Sequence, residues 1–524
     1  MASQTSRRVA RALLSVSDKT GLVELARGLA GLGVELVASG GTATALRDAG
    51  LAVVDVAQLT ASPEMLGGRV KTLHPRIHGG LLARRDLASD QQDMAAHSIP
   101  PIDLVVVNLY PFEKTVAKPG VSLEDAIENI DIGGPSMLRS AAKNHDYVGV
   151  LTNPSDYEAV LAELTANDGA LSGETRRRLA VEAFACTGRY DTAIHAWLAK
   201  NLVAGAGAET FPERLRIDLP RAQLLRYGEN PHQGAALYGG FLDAVESLHG
   251  KELSFNNVVD AQAALALILD FDPAEHCALA ILKHNTPCGV GQGATPQDAW
   301  QAAYSTDPDS PFGGIIVVNR PFDLALAKDV DEIFTEVLIA PEFEPDALAF
   351  LRNKKNRRLL RYRPERIDRG EPDIRHVFGG LLVQQPDLSH EAADTAQVVT
   401  ARKPSEEELR ALAFAWRVVK HVKSNAVVFA KADRTLAIGG GQTSRVDAVH
   451  VARAKAARVG NSLAGSVLAS DAFFPFPDGL ETAIAAGATA CVQPGGSARD
   501  AEVIAAADRL GIAMVFTGAR HFRH

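Results

Sequence analysis

Short apolar strands alternate with amphipathic helices near the N-terminus, and this pattern constrains the fold more than any other feature. Val9–Val16 is an apolar, strand-like run, and Gly21–Leu32 carries apolar residues at the i, i+3, i+4, i+7 spacing of one helical face. Further elements follow: strands at 34–38, 51–56, 104–108 and 148–152, and a helix at 42–49. Such alternation forms β-α-β units around a buried parallel sheet, so we predict an α/β protein.

A small, flexible segment at 204–208 is the best linker candidate. The helical signal before it ends near Lys200, and strand and helix signals resume after it. At ~100–200 residues per domain, a chain of 524 residues holds two to four domains. We therefore predict an N-terminal domain over 1–203 and a C-terminal region over 204–524.

The C-terminal region contains a weak internal echo. Lys-His-Asn at 283–285 follows an apolar run, Lys-Ser-Asn at 423–425 precedes one, and a Phe-containing loop follows each, at 311–314 and 471–475. Two related α/β halves would explain the echo, and chance similarity in a long α/β chain is the alternative. The unusually basic segment 352–369 is predicted to be a solvated helix-and-loop face, the alternative being a patch for an anionic ligand.

Charge, hydropathy and cysteine usage exclude several classes of protein. The net charge is −9, so no basic field exists to hold a nucleic acid. The longest apolar stretch noted, 263–269, is far short of the ~20 residues that span a bilayer. The N-terminus lacks the long apolar run of a secretory signal. The four cysteines form no C-x-x-C pair, which argues against a disulfide framework or structural zinc and favours the cytoplasm.

Two Ser/Thr/Gly turns, at 15–20 and 39–42, follow strands and open directly into helices. Their hydroxyls, glycine amides and lysine would lie at the carboxyl edge of one sheet, where helix N-termini bind anions. Simple helix capping is the alternative for either turn alone. The loop 67–75 adds two cations, and Asn108, Tyr110 and Asp131 complete a polar cluster able to move protons. We predict a phosphate site here.

In the C-terminal region, the segment 282–289 places Lys283 and His284 beside a bend just past a buried strand. Histidine is a natural base near neutral pH, and lysine is a fixed cation for developing negative charge. A core histidine beside a surface lysine is the alternative. Further polar clusters lie at 226–233, 439–445 and 520–524.

The motifs also bear on three other functions. A zinc deaminase needs H-x-E and then P-C-x-x-C, but Gly291 stands where the second cysteine belongs. A nicotinamide enzyme needs a glycine-rich strand-to-helix turn, and the loose match at 289–294 is separated from its strand. A ligand-sensing, allosteric role for the first domain stays open, because a phosphate site need not be catalytic.

Seven motifs, taken in order, resemble the family of bifunctional phosphoribosylaminoimidazolecarboxamide (AICAR) formyltransferase/IMP cyclohydrolases of purine biosynthesis. The resemblance runs nearly end to end, as far as the terminal Arg-His-Phe-Arg-His. The seven motifs are Ser17–Thr20, Ser39–Thr42, Gly68–Pro75, Asn108–Pro111, Asp131–Gly134, Arg226–Gln233 and Lys283–Pro287.

The resemblance implies a methylglyoxal-synthase-like parallel α/β domain with cyclohydrolase activity, followed by a transformylase of two cytidine-deaminase-like α/β halves without zinc. The transformylase would pass a formyl group from the co-substrate 10-formyltetrahydrofolate to the 5-amino group of AICAR. The cyclohydrolase would close the formylated nucleotide to IMP with loss of water. No metal is expected in either reaction. The family also implies a homodimer with transformylase sites at its interface.

For formyl transfer, the resemblance places the general base on His284 and the cation that stabilises the transition state on Lys283. Asn425 would orient the substrate, and His524 would belong to the same site. The implied substrate contacts are Arg226, Tyr227, Gly313, Glu336, Arg445, Phe473, Asp478, Ser497, Ala498 and Arg520.

For cyclisation, the resemblance places the proton donor and acceptor on Lys143, with Lys71, Tyr110 and Asp131 polarising the formyl oxygen and moving protons. The implied nucleotide contacts are Ser17, Asp18, Lys19, Ser39, Gly40, Gly41, Thr42, Arg69, Val70, Thr72, Val107, Asn108 and Ile132.

Overall fold

The apolar runs near the N-terminus form the strands of a parallel sheet. The structure is a computed structural model that describes residues 6–203, 211–389 and 396–524, so the predicted linker at 204–208 lies outside the described residues. The chain divides into two units, Met1–Asp218 and Leu219–His524. No described helix is long and apolar enough to cross a membrane.

The strands of the N-terminal unit are β1 (Arg7–Arg8), β2 (Arg11–Val16), β3 (Glu35–Ala38), β4 (Val54–Asp55), β5 (Leu104–Asn108), β6 (Gly149–Leu151) and β7 (Ala170–Leu171). Its helices are α1 (Leu22–Gly31), α2 (Gly40–Asp48), α3 (Val56–Thr60), α4 (Pro75–Leu82), α5 (Ala88–Ala96), α6 (Phe112–Val116), α7 (Leu123–Glu128), α8 (Gly133–Lys143), α9 (Tyr157–Ala166) and α10 (Gly173–Leu198).

Five of these strands form the predicted parallel sheet, in the order β4-β3-β2-β5-β6, while β1 and β7 pair separately and antiparallel. The apolar face of α1 is buried against the sheet, as its spacing predicts. The carboxyl ends of β2, β3 and β5 lie side by side, because these strands are neighbours that run the same way. This edge of the sheet therefore brings together the loops that follow the three strands.

The strands of the C-terminal unit are β8 (Arg221–Leu225), β9 (Ala235–Tyr238), β10 (Val245–His249), β11 (Cys277–Lys283), β12 (Thr286–Gly293), β13 (Gly314–Val318), β14 (Thr335–Ala340), β15 (Arg358–Tyr362), β16 (Asp373–Val377), β17 (Gly380–Gln384), β18 (Gln397–Val398), β19 (Val427–Ala430), β20 (Thr435–Gly439), β21 (Ser466–Ser470), β22 (Ala488–Gln493) and β23 (Ala513–Phe516). Its helices are α11 (Phe241–Ala244), α12 (Phe255–Ile268), α13 (Pro296–Tyr304), α14 (Leu324–Asp331), α15 (Pro345–Leu351), α16 (Glu406–Val419), α17 (Arg445–Val459), α18 (Pro477–Ala485) and α19 (Asp500–Arg509).

This unit is internally duplicated. Its two six-stranded sheets have the orders β10-β15-β14-β13-β11-β12 and β18-β23-β22-β21-β19-β20, which match strand for strand. In each sheet three neighbouring strands are parallel and the other pairings are antiparallel. The helices follow in the same sequence, and one apolar core joins both halves. The predicted α/β fold with two related halves is confirmed.

The sequence echo does not mark equivalent positions in the two halves. Lys-His-Asn at 283–285 follows β11, whereas Lys-Ser-Asn at 423–425 precedes β19, the strand equivalent to β11. The Phe-containing loops differ in the same way: 311–314 precedes β13, and 471–475 follows β21. The two motifs thus lie at opposite ends of equivalent strands, and the duplication is carried by topology.

The prediction of a solvated helix-and-loop face at 352–369 is wrong for the middle of the segment, although 352–356 and 364–366 are exposed. The segment contains β15, which lies between β10 and β14. Arg357 and Arg358 are only 3% and 6% exposed, and they pair with Asp331 at 2.8 Å and Glu336 at 3.0 Å. Carboxylates on neighbouring elements neutralise these cations, which is how a basic segment can contain an inner strand.

Candidate functional site

A cavity of about 630 Å³ lies at the carboxyl edge of the N-terminal sheet. We call it the N-terminal cavity. Thirteen of the residues predicted for cyclisation line it: Ser17, Lys19, Ser39, Gly40, Gly41, Thr42, Arg69, Lys71, Thr72, Asn108, Tyr110, Asp131 and Ile132. The separate motifs therefore converge on one site, as the resemblance predicts.

The loops after β2 and β5 hold each other in place at this edge. The Asn108 side-chain oxygen accepts the backbone N–H groups of Ser17 at 2.6 Å and Asp18 at 2.8 Å. Lys19 donates to the Val16 carbonyl and to the Thr42 hydroxyl, the latter at 3.3 Å. Partial burial lowers the pKa of Lys19. The loop is thus fixed before any ligand binds, with its lysine turned toward the cavity.

Two helices begin at the cavity wall, α2 and α8. The side chains at their N-cap positions, Ser39 and Ile132, make no capping hydrogen bond. The Thr42 hydroxyl instead bonds the backbone of Val16, accepting its N–H at 3.1 Å. Capping therefore does not account for Ser39 and Thr42. The uncapped N-terminus of α2 and the helix dipoles of α2 and α8 favour an anion in the cavity.

Three groups that can transfer protons share the cavity: Lys71, Tyr110 and Asp131. Lys71 forms an ion pair with Glu64 at 3.1 Å. Burial raises the pKa of Asp131, whose carboxylate accepts the Gly134 N–H at 2.8 Å. A carboxyl group held closer to neutrality by burial is suited to give and take a proton.

Four predicted residues do not line the cavity. Asp18 lies in the first loop, and its pKa is lowered by the hydrogen bonds that it accepts from the Thr20 hydroxyl at 2.7 Å and from the Thr20 N–H at 2.9 Å. Val107 is a core residue of β5, and Val70 forms an isolated bridge with Met65. Lys143 ends α8, the helix whose first residues line the cavity.

Lys143 lines a second cavity, of about 440 Å³, together with Arg139, His145 and Phe184. Twelve positions separate it from Asp131, and at 1.5 Å per helical residue that distance is about 18 Å. Within one chain, Lys143 therefore does not join Lys71, Tyr110 and Asp131. Its predicted role in cyclisation stays a prediction.

The sequence analysis missed one charged group of the N-terminal cavity. Glu128, the last residue of α7, lines the cavity and pairs with Arg69. No motif marks a lone glutamate in a short polar helix. Only the folded position of α7 reveals that this carboxylate neutralises one of the predicted phosphate-binding cations.

In the C-terminal unit, Lys283 and His284 lie at the tight turn between β11 and β12. The turn contains only His284 and Asn285, whose φ angles are 52° and 62°. Lys283 donates to the Phe312 carbonyl at 3.0 Å, next to the predicted contact Gly313. Exposure of His284 at the turn contradicts the alternative of a core histidine.

Glu336, another predicted contact, lies in β14, a strand of the same sheet as β11. Its carboxylate accepts from Arg358 at 3.0 Å and from the Asn257 amide at 3.4 Å. Arg226 and Tyr227 follow β8 and stack on each other, with 4.8 Å between the guanidinium carbon and the ring centre. We call Lys283, His284, Gly313 and Glu336 the first-half group.

The remaining predicted residues lie at the carboxyl edge of the second sheet. Arg445, 6% exposed, donates to Asn425 Oδ1 at 2.9 Å and to the Asp471 carboxylate. The other predicted residues follow the parallel strands of this half: Phe473 and Asp478 after β21, Ser497 and Ala498 after β22, and Arg520 and His524 after β23. Ligands bind at such an edge in open α/β sheets.

The C-terminal tail is docked onto this edge. His521, 2% exposed, forms a side-chain hydrogen bond with Asp387 at 2.6 Å and donates its backbone N–H to the Asp471 carbonyl at 2.9 Å. Arg520 lies over the Phe522 ring at 4.6 Å, and His524 contacts the same ring at 5.6 Å. The tail therefore has a fixed place beside Arg445 and Asn425. We call these two residues, with Phe473, Asp478, Ser497, Ala498, Arg520 and His524, the second-half group.

No hydrogen bond or ion pair among the described residues joins the first-half group to the second-half group. The same part of the chain contains no cluster of three or more His, Cys, Asp or Glu side chains placed to hold a metal ion. The structure thus assembles the predicted transformylase residues into two groups within one unit.

The chain is similar to known proteins over almost its whole length. Residues 141–455 match the family model described as AICARFT/IMPCHase bienzyme, and residues 21–136 match an MGS-like domain. The chain is 56% identical over 519 residues to the bifunctional purine biosynthesis protein PurH of Chloroflexus aurantiacus, covering 99% of both chains. It is 54% identical to the PurH protein of Cereibacter sphaeroides and 51% identical to that of Chlorobium chlorochromatii, covering 98% of this chain and 99% of each relative.

Proposed function

The chain belongs to the AICARFT/IMPCHase bienzyme family, and from that premise we propose how its two units divide the two reactions. It is a bifunctional enzyme of purine biosynthesis, an AICAR formyltransferase and IMP cyclohydrolase. We assign cyclisation to the N-terminal cavity and formyl transfer to the C-terminal unit. The convergence of thirteen predicted residues on the N-terminal cavity is the observation that carries this assignment.

In formyl transfer, the 5-amino nitrogen of AICAR attacks the formyl carbon of 10-formyltetrahydrofolate. The amine is a poor nucleophile because its lone pair is delocalised, so a proton must leave as the bond forms. His284 takes that proton, and the Lys283 ammonium stabilises the oxyanion that grows on the formyl oxygen. The C–N bond to the folate then breaks, and the folate nitrogen regains a proton.

Asn425 and Arg445 hold the nucleotide for this step, and the docked tail brings His524 to the same site. The other predicted contacts of the C-terminal unit act on the substrate: Arg226, Tyr227, Gly313, Glu336, Phe473, Asp478, Ser497, Ala498 and Arg520. A homodimer, which the family resemblance implies, would unite the two groups at an interface. We place the enzyme in the cytoplasm, on the strength of its scattered cysteines.

In cyclisation, the carboxamide nitrogen of the formylated nucleotide attacks the formyl carbon, and water leaves. The loops after β2 and β3 and the N-termini of α2 and α8 hold the nucleotide, with Asp18, Val70 and Val107 supporting the loops from outside the cavity. Lys71 polarises the formyl oxygen, and Tyr110 and Asp131 move protons. Positioning and proton transfer suffice for ring closure, so neither a metal nor a cofactor takes part.

Separate variants test the division of labour. Lys71→Ala should lower cyclisation of supplied formyl-AICAR by about 100-fold or more and leave formyl transfer unchanged, since a positioned acid–base group contributes roughly 10²–10⁴. His284→Ala should do the reverse. Both activities are followed by absorbance on the same preparations. Loss of both activities in either variant contradicts the two-site assignment.

Two further experiments test the role of Lys143 and the alternative function of the N-terminal unit. Lys143→Ala should lower cyclisation if a second copy of the chain brings Lys143 to the N-terminal cavity, and an unchanged rate removes Lys143 from the mechanism. The alternative function, in which the N-terminal unit only senses nucleotide, predicts that this unit binds formyl-AICAR without closing it to IMP, which an absorbance assay for IMP formation checks. That single measurement separates the two functions.

A further inference from the structure

The turn that carries His284 has an unusual backbone. Both of its residues, His284 and Asn285, have the positive φ angles that two-residue hairpin turns of type I′ require. Asn and, less often, His occupy this left-handed region, but side chains make it unfavourable, so such turns persist where their surroundings fix them. The direction of the His284 imidazole therefore depends on whatever holds this turn.

Asp260 on α12 holds it. Its Oδ1 atom accepts the backbone N–H of Asn285 at 2.7 Å. This N–H belongs to the peptide that joins His284 to Asn285, so the bond fixes the middle of the turn. Asp260 is partly buried, and burial raises the pKa of its carboxyl group. Burying a carboxylate costs solvation free energy, and the hydrogen bond from the Asn285 N–H offsets part of that cost.

The bond also stabilises Asp260. Among the groups around its carboxyl, the Asn285 N–H lowers the pKa of Asp260 most, and Glu336 of β14 raises it. Glu336 is itself paired with Arg358 of β15, and Lys283 is directed to the Phe312 carbonyl. The turn and the Asp260 carboxylate therefore hold each other in place.

We propose that Asp260 is a positioning residue for formyl transfer: by accepting the Asn285 N–H it locks the left-handed His284–Asn285 turn, and so holds the His284 imidazole in place to take the proton from the substrate amine. The inference rests on the proposed function, since it takes His284 as the base. It adds a residue that belongs to none of the seven motifs and does not touch the reacting atoms.

Two substitutions separate the hydrogen bond that Asp260 accepts from the charge that it carries. Asp260→Asn keeps an oxygen that can accept the Asn285 N–H and removes the charge, whereas Asp260→Ala removes both. Asp272→Asn is the matched control, because Asp272 also accepts a backbone N–H, that of Ala274 at 2.8 Å. It lies before the first residue of β11, a strand of seven residues that is about 23 Å long, and so is remote from the turn.

We expect Asp260→Ala to lower kcat for formyl transfer by about tenfold or more, with the KM for AICAR within about threefold, because a displaced base affects chemistry more than binding. Asp260→Asn should keep most of the wild-type rate, because its amide oxygen can still accept the Asn285 N–H. Asp272→Asn should match the wild type.

Cyclisation by the same preparations serves as an internal control and should be unchanged in all variants. An Asp260→Ala rate within twofold of the wild type overturns the inference. Equal loss in both Asp260 variants also overturns it, and so does loss that only parallels a lower melting temperature.

A measurement without turnover distinguishes failure of the inference from failure of the proposed function. The NMR spectrum of ¹³C-labelled histidine, with His284 assigned through His284→Ala, reports the surroundings of the imidazole. A His284 signal that moves in Asp260→Ala and stays in place in Asp260→Asn supports the positioning role, and an unmoved signal in Asp260→Ala overturns it. A wild-type chain that forms no formylated product contradicts the proposed function, and the spectrum still decides the positioning role.

Discussion

At the scale of single residues, burial of Asp131 lowers the stability of the fold and suits the carboxyl group to proton transfer. Burial raises the pKa of Asp131 above the ordinary value of 3.8. The folded chain therefore binds a proton at this carboxyl more readily than the unfolded chain does, and the charged form costs stability at neutral pH. That cost vanishes as the pH falls below 3.8, where the carboxyl is protonated in both states.

Asp131→Asn should accordingly raise the melting temperature of the N-terminal unit at pH 7, while Asn can still accept the Gly134 N–H. The gain over the wild type should shrink as the pH is lowered toward the ordinary pKa. Cyclisation should fall by about 100-fold or more, because the amide cannot exchange a proton. Scanning calorimetry at two pH values, with the cyclisation assay, checks both parts. A lower melting temperature at pH 7 would contradict this account of Asp131.

At the scale of secondary-structure elements, a glycine repeated in both halves fixes a helix against a strand. A Cβ at Gly291 of β12 would lie 2.5 Å from the Ala299 carbonyl oxygen of α13, and one at Gly439 of β20 would overlap the Ala448 carbonyl oxygen of α17. The strand pairings make these positions equivalent: Gly291 opposes Leu279, and Gly439 opposes Val427. The duplication therefore extends to packing, which neither sequence motif revealed.

Gly291→Ala and Gly439→Ala should each destabilise the C-terminal unit by about 1–3 kcal/mol through overpacking. Formyl transfer should become more heat-sensitive, and cyclisation should not change. Gly380→Ala is the control, since nothing lies within 4 Å of a Cβ there. Denaturant unfolding with both activity assays tests this. If the control is as unstable as the two variants, close helix packing is not the cause.

The elements also show what could be predicted from sequence. The phosphate loops were predictable because each follows its strand directly, so local pattern alone places it at the sheet edge. Lys143 and Asp131 share a motif region, but the helix between them separates their positions. Asp260 could not be found, because its function depends on a contact with Asn285, which lies on a different element. Contacts between distant segments leave no periodic signal.

At the scale of the whole molecule, the acidic chain meets anionic substrates with local groups. The net charge is −9, yet the N-terminal cavity presents Lys19, Lys71 and two helix N-termini. Charges this close act within the Debye length of about 8 Å at physiological salt, so the distant acidic surface is largely screened. Cationic groups close to the bound ligand thus allow one acidic chain to bind anionic nucleotides.

Each unit has its own apolar core and contains its own group of predicted catalytic residues. Damage to one group should therefore leave the other working. An equimolar mixture of Lys71→Ala and His284→Ala chains should convert AICAR to IMP, because formylated nucleotide released by the first variant is closed by the second. A lag should precede IMP formation while that intermediate accumulates, and each variant alone should form little IMP.

Absorbance assays with the two variants, singly and mixed, measure this directly, and added formyl-AICAR should abolish the lag. Wild-type enzyme at the same total concentration sets the reference rate. A mixture that forms no IMP, while each variant retains its one activity, would mean that the intermediate does not pass through solution. The two units would then have to act as one catalytic device, although each has a separate core.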